Sequence, residues 1–302
     1  MTEPRVTVAI PSFNSAATIG PCLSSLCLQS FPVDDYEIVL GDNGSTDGTA
    51  AFVHAQFPNV RVVHAAERGS GFARNAAIAA ARGEYILSID ADCTADPNWI
   101  AAMTAALDAQ PEVDAFGGAI RPFSQSTVVE RFRHTWIRQE NLSEGKGPIR
   151  YAETPNAAYR RNVFTQLGGF DGSVMDDSDL GVRMTKAGMR IDYLPEAIVF
   201  HRNPSTLRRL YRQRYFYGSN EPALGEKYPE LWPPIRTLAQ VRERRYRTVR
   251  RIARDFARLP AALIGADRSG GTRFAPLIDM VVAVAYQRGL EHGVRARMET
   301  SR

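Results

Sequence analysis

Between residues 5 and 89, short apolar segments alternate with stretches of helical spacing, and this alternation limits the fold more than any other feature of the chain. Residues 5–11 are β-rich and end at Pro11, and residues 15–30 carry Ile19, Leu23 and Leu26 at the spacing of one helix face. The pattern repeats as strand 36–40, helix 46–56, strand 60–64, helix 71–81 and strand 84–89. A helix to residue 110 and a strand at 113–121 follow. Such alternation predicts an α/β fold with a mostly parallel central sheet flanked by helices on both faces. Beyond Pro204 it stops. Residues 205–220, 241–259 and 274–297 read as helices, so the expected division is an α/β domain over 1–204 and a basic helical C-terminal extension over 205–302. Residues 122–150 are less regular, and the turn 145–148 reads as a loop.

In an open sheet of this kind ligands lie at the carboxyl ends of the strands, so chemistry is sought at residues 11–14, 42–47 and 90–92. The first holds Pro11 and Asn14. The second follows a buried strand and has two readings: an Asx-rich connector whose Thr46 and Asp47 cap the next helix, or a pocket where Asp42 accepts hydrogen bonds from a nucleobase or ribose. The third is more telling, because the apolar run Tyr85-Ile86-Leu87-Ser88-Ile89 ends in Asp90-Ala91-Asp92. Two like charges beside a buried strand are costly unless a cation offsets them, and Mg²⁺ or Mn²⁺ is the natural partner of hard carboxylate oxygens. Asp176, Asp177 and Asp179 open a later helix. They serve its dipole, or one of them acts as a general base toward a hydroxyl. His201 closes a short strand at 198–201, as an ordinary surface or core histidine or as part of a metal shell.

Cys22, Cys27 and Cys93 are too few and too uneven for a disulfide framework. The first residues carry no basic segment followed by an apolar one, and no apolar run reaches the roughly 20 residues needed to span a bilayer. A cytoplasmic protein without a signal peptide is expected. Charge is divided unevenly: residues 1–200 hold 16 Lys+Arg against 24 Asp+Glu, and residues 201–302 hold 21 against 9, so the parts carry −8 and +12 within the net +4. The acidic body suits a cation site. The basic end suits an anionic neighbour.

Taken in order, residues 8–14, Asp42-Asn43-Gly44-Ser45-Thr46-Asp47, Ala73-Arg74-Asn75, Asp90-Ala91-Asp92, Gly168-Gly169-Phe170-Asp171 and Asp176-Asp177-Ser178-Asp179-Leu180, closing at His201, resemble the family 2 glycosyltransferases, which share the GT-A fold. The likeness spans about residues 5–202. It implies a metal-dependent, inverting transfer of a sugar from a nucleoside-diphosphate donor, most commonly a UDP-sugar, to an acceptor hydroxyl. Carried over, it implies that Pro11 and Asn14 border the nucleotide, Asp42 holds the base, Arg74 lies near the nucleotide, Asp90 near the ribose or metal, and Asp92 on the metal. Relatives show Glu-Asp where this chain has Asp176-Asp177, and the second acid is their usual base, so Asp177 is the expected base here. The stretch from Asn156 to Arg161 looks like an acceptor-lining segment, with Arg160 or Arg161 meeting phosphate or lying on the surface. The Gln-x-x-Arg-Trp motif of processive synthases is not reproduced around Gln213, which favours non-processive transfer.

A dehydrogenase needs a glycine-rich first turn, and residues 11–20 lack one. The remaining alternative is a catalytically decayed nucleotide-sugar-binding or scaffold protein. The acceptor is expected to be a glycan, a lipid or a small molecule of the cell envelope. For the arginine-rich helices the readings are an anionic membrane surface, with Phe216, Phe256, Leu259 and Leu263 available for insertion, or a solvated face at a homo-oligomer contact. No nucleic-acid-binding motif accompanies the charge.

Overall fold

The computed structural model describes residues 3–134, 150–172, 175–257 and 275–300. The expected loop at 145–148, and Leu259 and Leu263, lie outside the described residues. Contacts divide the chain into two units, one of residues 1–123 and 138–202, the other of residues 124–137 and 203–302. The linear division at residue 204 does not contain this return of 124–137 to the second unit.

The first unit is built on an eight-stranded sheet, β1 (Val6–Ser12), β2 (Tyr36–Asp42), β3 (Val60–His64), β4 (Tyr85–Ser88), β5 (Cys93–Ala95), β6 (Ala115–Pro122), β7 (Ala157–Arg160) and β8 (Ile191–His201), in the order β3-β2-β1-β4-β7-β6-β8-β5. β3, β2, β1 and β4 run parallel, as does β8 beside β6. β7 lies antiparallel between β4 and β6, and β5 pairs antiparallel with β8. The α/β architecture follows the sequence, with antiparallel strands completing its second half.

Period-2 alternation sorts the core onto two faces. Val8, Ile10, Leu40 and Leu87 pack with α1 (Ile19–Cys27) and α4 (Trp99–Ala109). Ala9, Val39, Ile86 and Tyr159 pack on the other face with α3 (Ser70–Ala79), α6 (Arg161–Leu167) and α7 (Asp176–Lys186). Each fully buried Ile or Leu contributes about 1.5–3 kcal/mol of transfer free energy. Helix α2 (Thr49–Gln56) adds Val53 to the first face. Asn156, fully buried, accepts from Trp99 Nε1 at 2.8 Å and donates to the carbonyls of Ala119 and Ala197, so it joins three elements through satisfied polar atoms.

The second unit consists, among its described residues, of α5 (Val128–His134), α8 (Leu207–Lys227), α9 (Leu238–Ala257) and α10 (Ala275–Thr300). Helices α8 and α10 pack backbone to backbone: a Cβ at Gly218 would overlap the carbonyl of Tyr286, at Gly289 that of Tyr215 and at Gly293 that of Ser219. Leu210 meets Val129, Phe132, Ile278 and Val282 in a small apolar cluster.

Candidate active site

The carboxyl ends of β1 and β2 are tied into one rim. Asn14 takes the left-handed conformation (φ 51°) that asparagine tolerates better than most residues. Its Oδ1 accepts from Thr46 N at 2.8 Å, and its own N–H donates to Ser45 Oγ at 2.9 Å. Asp47 accepts from Ala16 N and Thr49 N, capping α2 from the preceding turn. The register pairs Pro11 with Gly41, and Gly41 lies so close to α3 that a Cβ there would overlap the carbonyl of Ala73. Asn43 reaches a third loop, donating to Glu67 O and accepting from Gly69 N.

Asp42 sits within this rim, 7% exposed. Its Oδ2 accepts from Ser45 N at 3.1 Å, whereas its Oδ1 is buried without a partner among the described residues. An orphaned buried carboxylate oxygen is costly, so it marks a place where a donor is missing. Phe13, 47% exposed, presents a ring at the same strand end, with the Arg68 guanidinium 5.4 Å from its centroid.

Beyond β4 the acids gather around Arg74, which is buried on α3. Its Nη2 donates to Asp90 Oδ1 at 2.7 Å and its Nη1 to Asp176 Oδ2 at 3.1 Å, and its guanidinium lies 5.5 Å from the Phe170 ring. Burial works against the Arg74 charge, and Asp90 and Asp176 outweigh it, so its pKa is raised. Arg74 Nε has no partner among the described residues. Asn75, next in the helix, holds the 168–171 turn by donating to Phe170 O at 2.7 Å and accepting from Phe170 N at 2.8 Å. Asp179, fully buried, accepts from Arg183, which also donates to the carbonyls of Leu167 and Gly169.

Asp177 differs from its neighbours. It is half-buried, accepts from Ser178 N at 2.7 Å, and has its pKa pushed up to about 7 by burial and then by the negative fields of Asp176 and Glu153. A carboxylate near 7 is matched to proton abstraction at neutral pH.

The β5–β8 pairing sets Cys93 opposite His201 and brings His201 Nε2 to 3.8 Å from Asp92 Oδ1. Two ligand atoms on one Mn²⁺-sized ion can stand at most about 4.2 Å apart, so these two donors fit a shared divalent cation. Cys93 belongs to the same group, but it is buried and burial drives its thiol pKa well up, which leaves Asp92 and His201 as the donors suited to a hard ion. The residues Pro11, Asn14, Asp42, Arg74, Asp90, Asp92, Asp177 and His201 thus lie at the strand ends of one sheet or on the helices that follow.

Arg160, the last residue of β7, and Arg161, the first of α6, fall at the other end of the sheet's strands because β7 runs antiparallel to β4, and Tyr85 pairs with Arg160 there. Arg160 donates to the carbonyls of Val113, Leu107 and Gln110, and Arg161 to those of Ala81 and Gly83. The phosphate reading of these two arginines is therefore corrected: their guanidinium groups satisfy carbonyls in the last turn of α4 and just past the ends of α3 and α4. Sequence reasoning also missed the Arg74–Asp176 pair, the Asn43 clamp and the exposed ring of Phe13. The spacing Asp42-Asn43 hinted at the clamp, whereas nothing local pointed to a pair 102 residues apart.

The family model described as "Glycosyl transferase family 2" matches residues 7–168. The glycosyltransferase AglE of Haloferax volcanii is 26% identical over 206 residues, 66% of this chain and 67% of that protein. An N-acetylglucosaminyl-diphospho-decaprenol L-rhamnosyltransferase of Mycobacterium tuberculosis is 31% identical over 201 residues, 54% of this chain and 66% of that one. The chain spans from about half to two thirds of the length of these and similar curated relatives. Among solved structures, the mannosyltransferase PcManGT from Pyrobaculum calidifontis, in complex with GDP-Man and Mn²⁺, superposes with a TM-score of 0.65 at 23% identity. The match covers 95% of this chain and 88% of that one, and it shows the shared fold.

Proposed function

The chain belongs to glycosyl transferase family 2, and we propose that it moves a sugar from a nucleoside-diphosphate donor, a UDP-sugar in the first instance, to an acceptor hydroxyl in one inverting, non-processive displacement. The observation that carries this reading is the gathering of acids at the strand ends: Asp90 and Asp176 held by Arg74, Asp177 next to them on α7, and Asp92 3.8 Å from His201. Asp177 removes the acceptor's proton as its oxygen attacks the anomeric carbon. Asp42 takes the base through its unpaired Oδ1, and Phe13 offers a face on which that base stacks. Asn14, Asn43 and Pro11 hold the rim in which the nucleoside sits, while Arg74 fixes Asp90 toward the ribose. Asp92 and His201 would hold Mn²⁺ or Mg²⁺, which when bound would supply Lewis-acid charge at the leaving diphosphate.

The test is release of nucleoside diphosphate from UDP-glucose, UDP-N-acetylglucosamine, GDP-mannose and dTDP-rhamnose, with octyl glucoside as a surrogate acceptor. The base must be ionised, so the rate is expected to rise with pH through about 7. Asp177→Asn should bind nucleotide normally and turn over at least about 100-fold more slowly. Undiminished turnover in Asp177→Asn contradicts the assignment, and nucleotide binding without turnover by the wild type favours the decayed binding protein.

A lipid-linked acceptor at an anionic membrane surface is the partner we favour. Arg242, Arg245, Arg247 and Arg250 are exposed on α9 around Tyr246, itself 63% exposed, and Phe216 is 54% exposed on α8 beside exposed Arg212. Cationic and aromatic side chains together suit an anionic bilayer interface. No helix among the described residues is long and apolar enough to cross a membrane. Flotation with phosphatidylglycerol vesicles should recover the protein, and neutral vesicles should not; equal recovery with both excludes this partner.

A further inference from the structure

Three chain segments meet beside Asp92: the end of β6, the end of β8 and the start of β5. Arg202 follows His201 directly, and its N–H donates to the Asp92 carbonyl at 3.2 Å, fixing the main chain against the acid. On β6, Pro122 pairs with His201, and Phe123 N donates to His201 O at 2.9 Å. The Arg202 guanidinium lies 3.8 Å from the centroid of the Phe123 ring, a close cation–π contact, while that ring remains 43% exposed.

We infer that Arg202 is a diphosphate clamp, its guanidinium held on the face of Phe123 so that its N–H groups take oxygens of the donor's terminal phosphate. The inference rests on the nucleotide-sugar reading above. Several arginines of this unit are occupied, Arg74 and Arg183 by carboxylates and Arg160 and Arg161 by carbonyls, and of the two stacked on an exposed ring, Arg68 lies at the Phe13 rim whereas Arg202 lies beside Asp92. Arg202 forms an ion pair with no carboxylate among the described residues, although Asp92 is its near neighbour in the fold. A ring beneath a guanidinium restricts its orientation while leaving the N–H fork open, the arrangement suited to bidentate recognition of phosphate oxygens. The charge also argues for a phosphate dianion. Asp92 would offset half the charge of a divalent ion held there, and Arg202 supplies positive charge where the leaving group becomes most negative. Phe123 acts through Arg202 as a positioning residue.

Calorimetry with Mn²⁺ tests this on the wild type, Arg202→Gln, Arg202→Lys and Phe123→Leu, using UDP, UMP and inorganic phosphate, with melting curves to confirm folding. Arg202→Gln should weaken UDP about tenfold or more and leave UMP unchanged. Arg202→Lys, which keeps the charge without the fork, and Phe123→Leu, which loosens the arm, should fall between. Loss of inorganic phosphate binding with unchanged UDP affinity would assign the arm to a phosphate on the acceptor and overturn the donor role. Equal weakening of UDP and UMP, or no weakening of either, also overturns it. Failure of the folded wild type to bind UDP, GDP or dTDP would remove the nucleotide-sugar reading itself, a result distinct from any difference among the variants.

Discussion

Arg74 shows how a single side chain decides the state of a whole acidic site. With Arg74 present, Asp90 and Asp176 are hydrogen-bonded parts of one network; burial raises the pKa of Asp176 even so, and pushes that of Asp177, which Arg74 does not contact, up to about 7. Arg74→Ala would strand two carboxylates at a largely buried place, and losing one partner of such a network costs about 3–5 kcal/mol. Urea denaturation at neutral pH should show that loss. A change of under about 1 kcal/mol would mean that solvent already screens the cluster. At this scale the sequence was legible where position alone identified chemistry: Asp90 and Asp92 close an apolar strand, and Asp42 closes another. It did not reveal the Arg74 partner of Asp176, which is distant in sequence, or the raised pKa of Asp177, which arises from burial and then from Asp176 and Glu153. His201 gained its neighbour Asp92 only through a pairing between strands far apart in the chain.

Among the elements, those with a full period were readable. Strands β1 to β4 and helices α1 to α4 lie where alternation and helical spacing predicted, within a few residues. Strands β5 and β7 have three and four residues, too few for a period to declare itself, and α5 lay hidden in the segment read as irregular. Strand β8 was legible only from residue 198, because its register with β6 jumps between Leu194 and Ile198, leaving Pro195 to Ala197 outside the ladder. Helix α7 begins at Asp176, so the three acids form its first turn, as expected of carboxylates at the positive end of a helix dipole. The α8–α10 pair rests on glycine contacts that hydropathy does not reveal. Gly289→Ala would force the backbones apart at Tyr215, and overpacking of this kind costs about 1–3 kcal/mol. The urea midpoint should fall accordingly, and an unchanged midpoint would mean that the helices shift without loss.

Across the whole molecule, charge asymmetry anticipated two parts of different character. It did not anticipate that the first unit gives up residues 124–137 to the second, so that the chain leaves the first unit after Phe123 and again after Arg202. Those crossings are neighbours, joined through Phe123 N and His201 O, and they adjoin Asp92. The strand ends that carry the candidate site therefore also carry the chain out of the first unit, a consequence of β6 and β8 lying side by side despite their separation in sequence. If these strand ends form the proposed metal-organised sugar-nucleotide site, calorimetric titration of the wild type and Asp92→Ala with UDP, GDP and dTDP, in Mn²⁺, in Mg²⁺ and in chelator, will detect it. The wild type should bind at least one diphosphate only when metal is present, and Asp92→Ala should lose this binding while remaining folded. Metal-independent binding that Asp92→Ala leaves intact, or no binding by well-folded wild type, would contradict it.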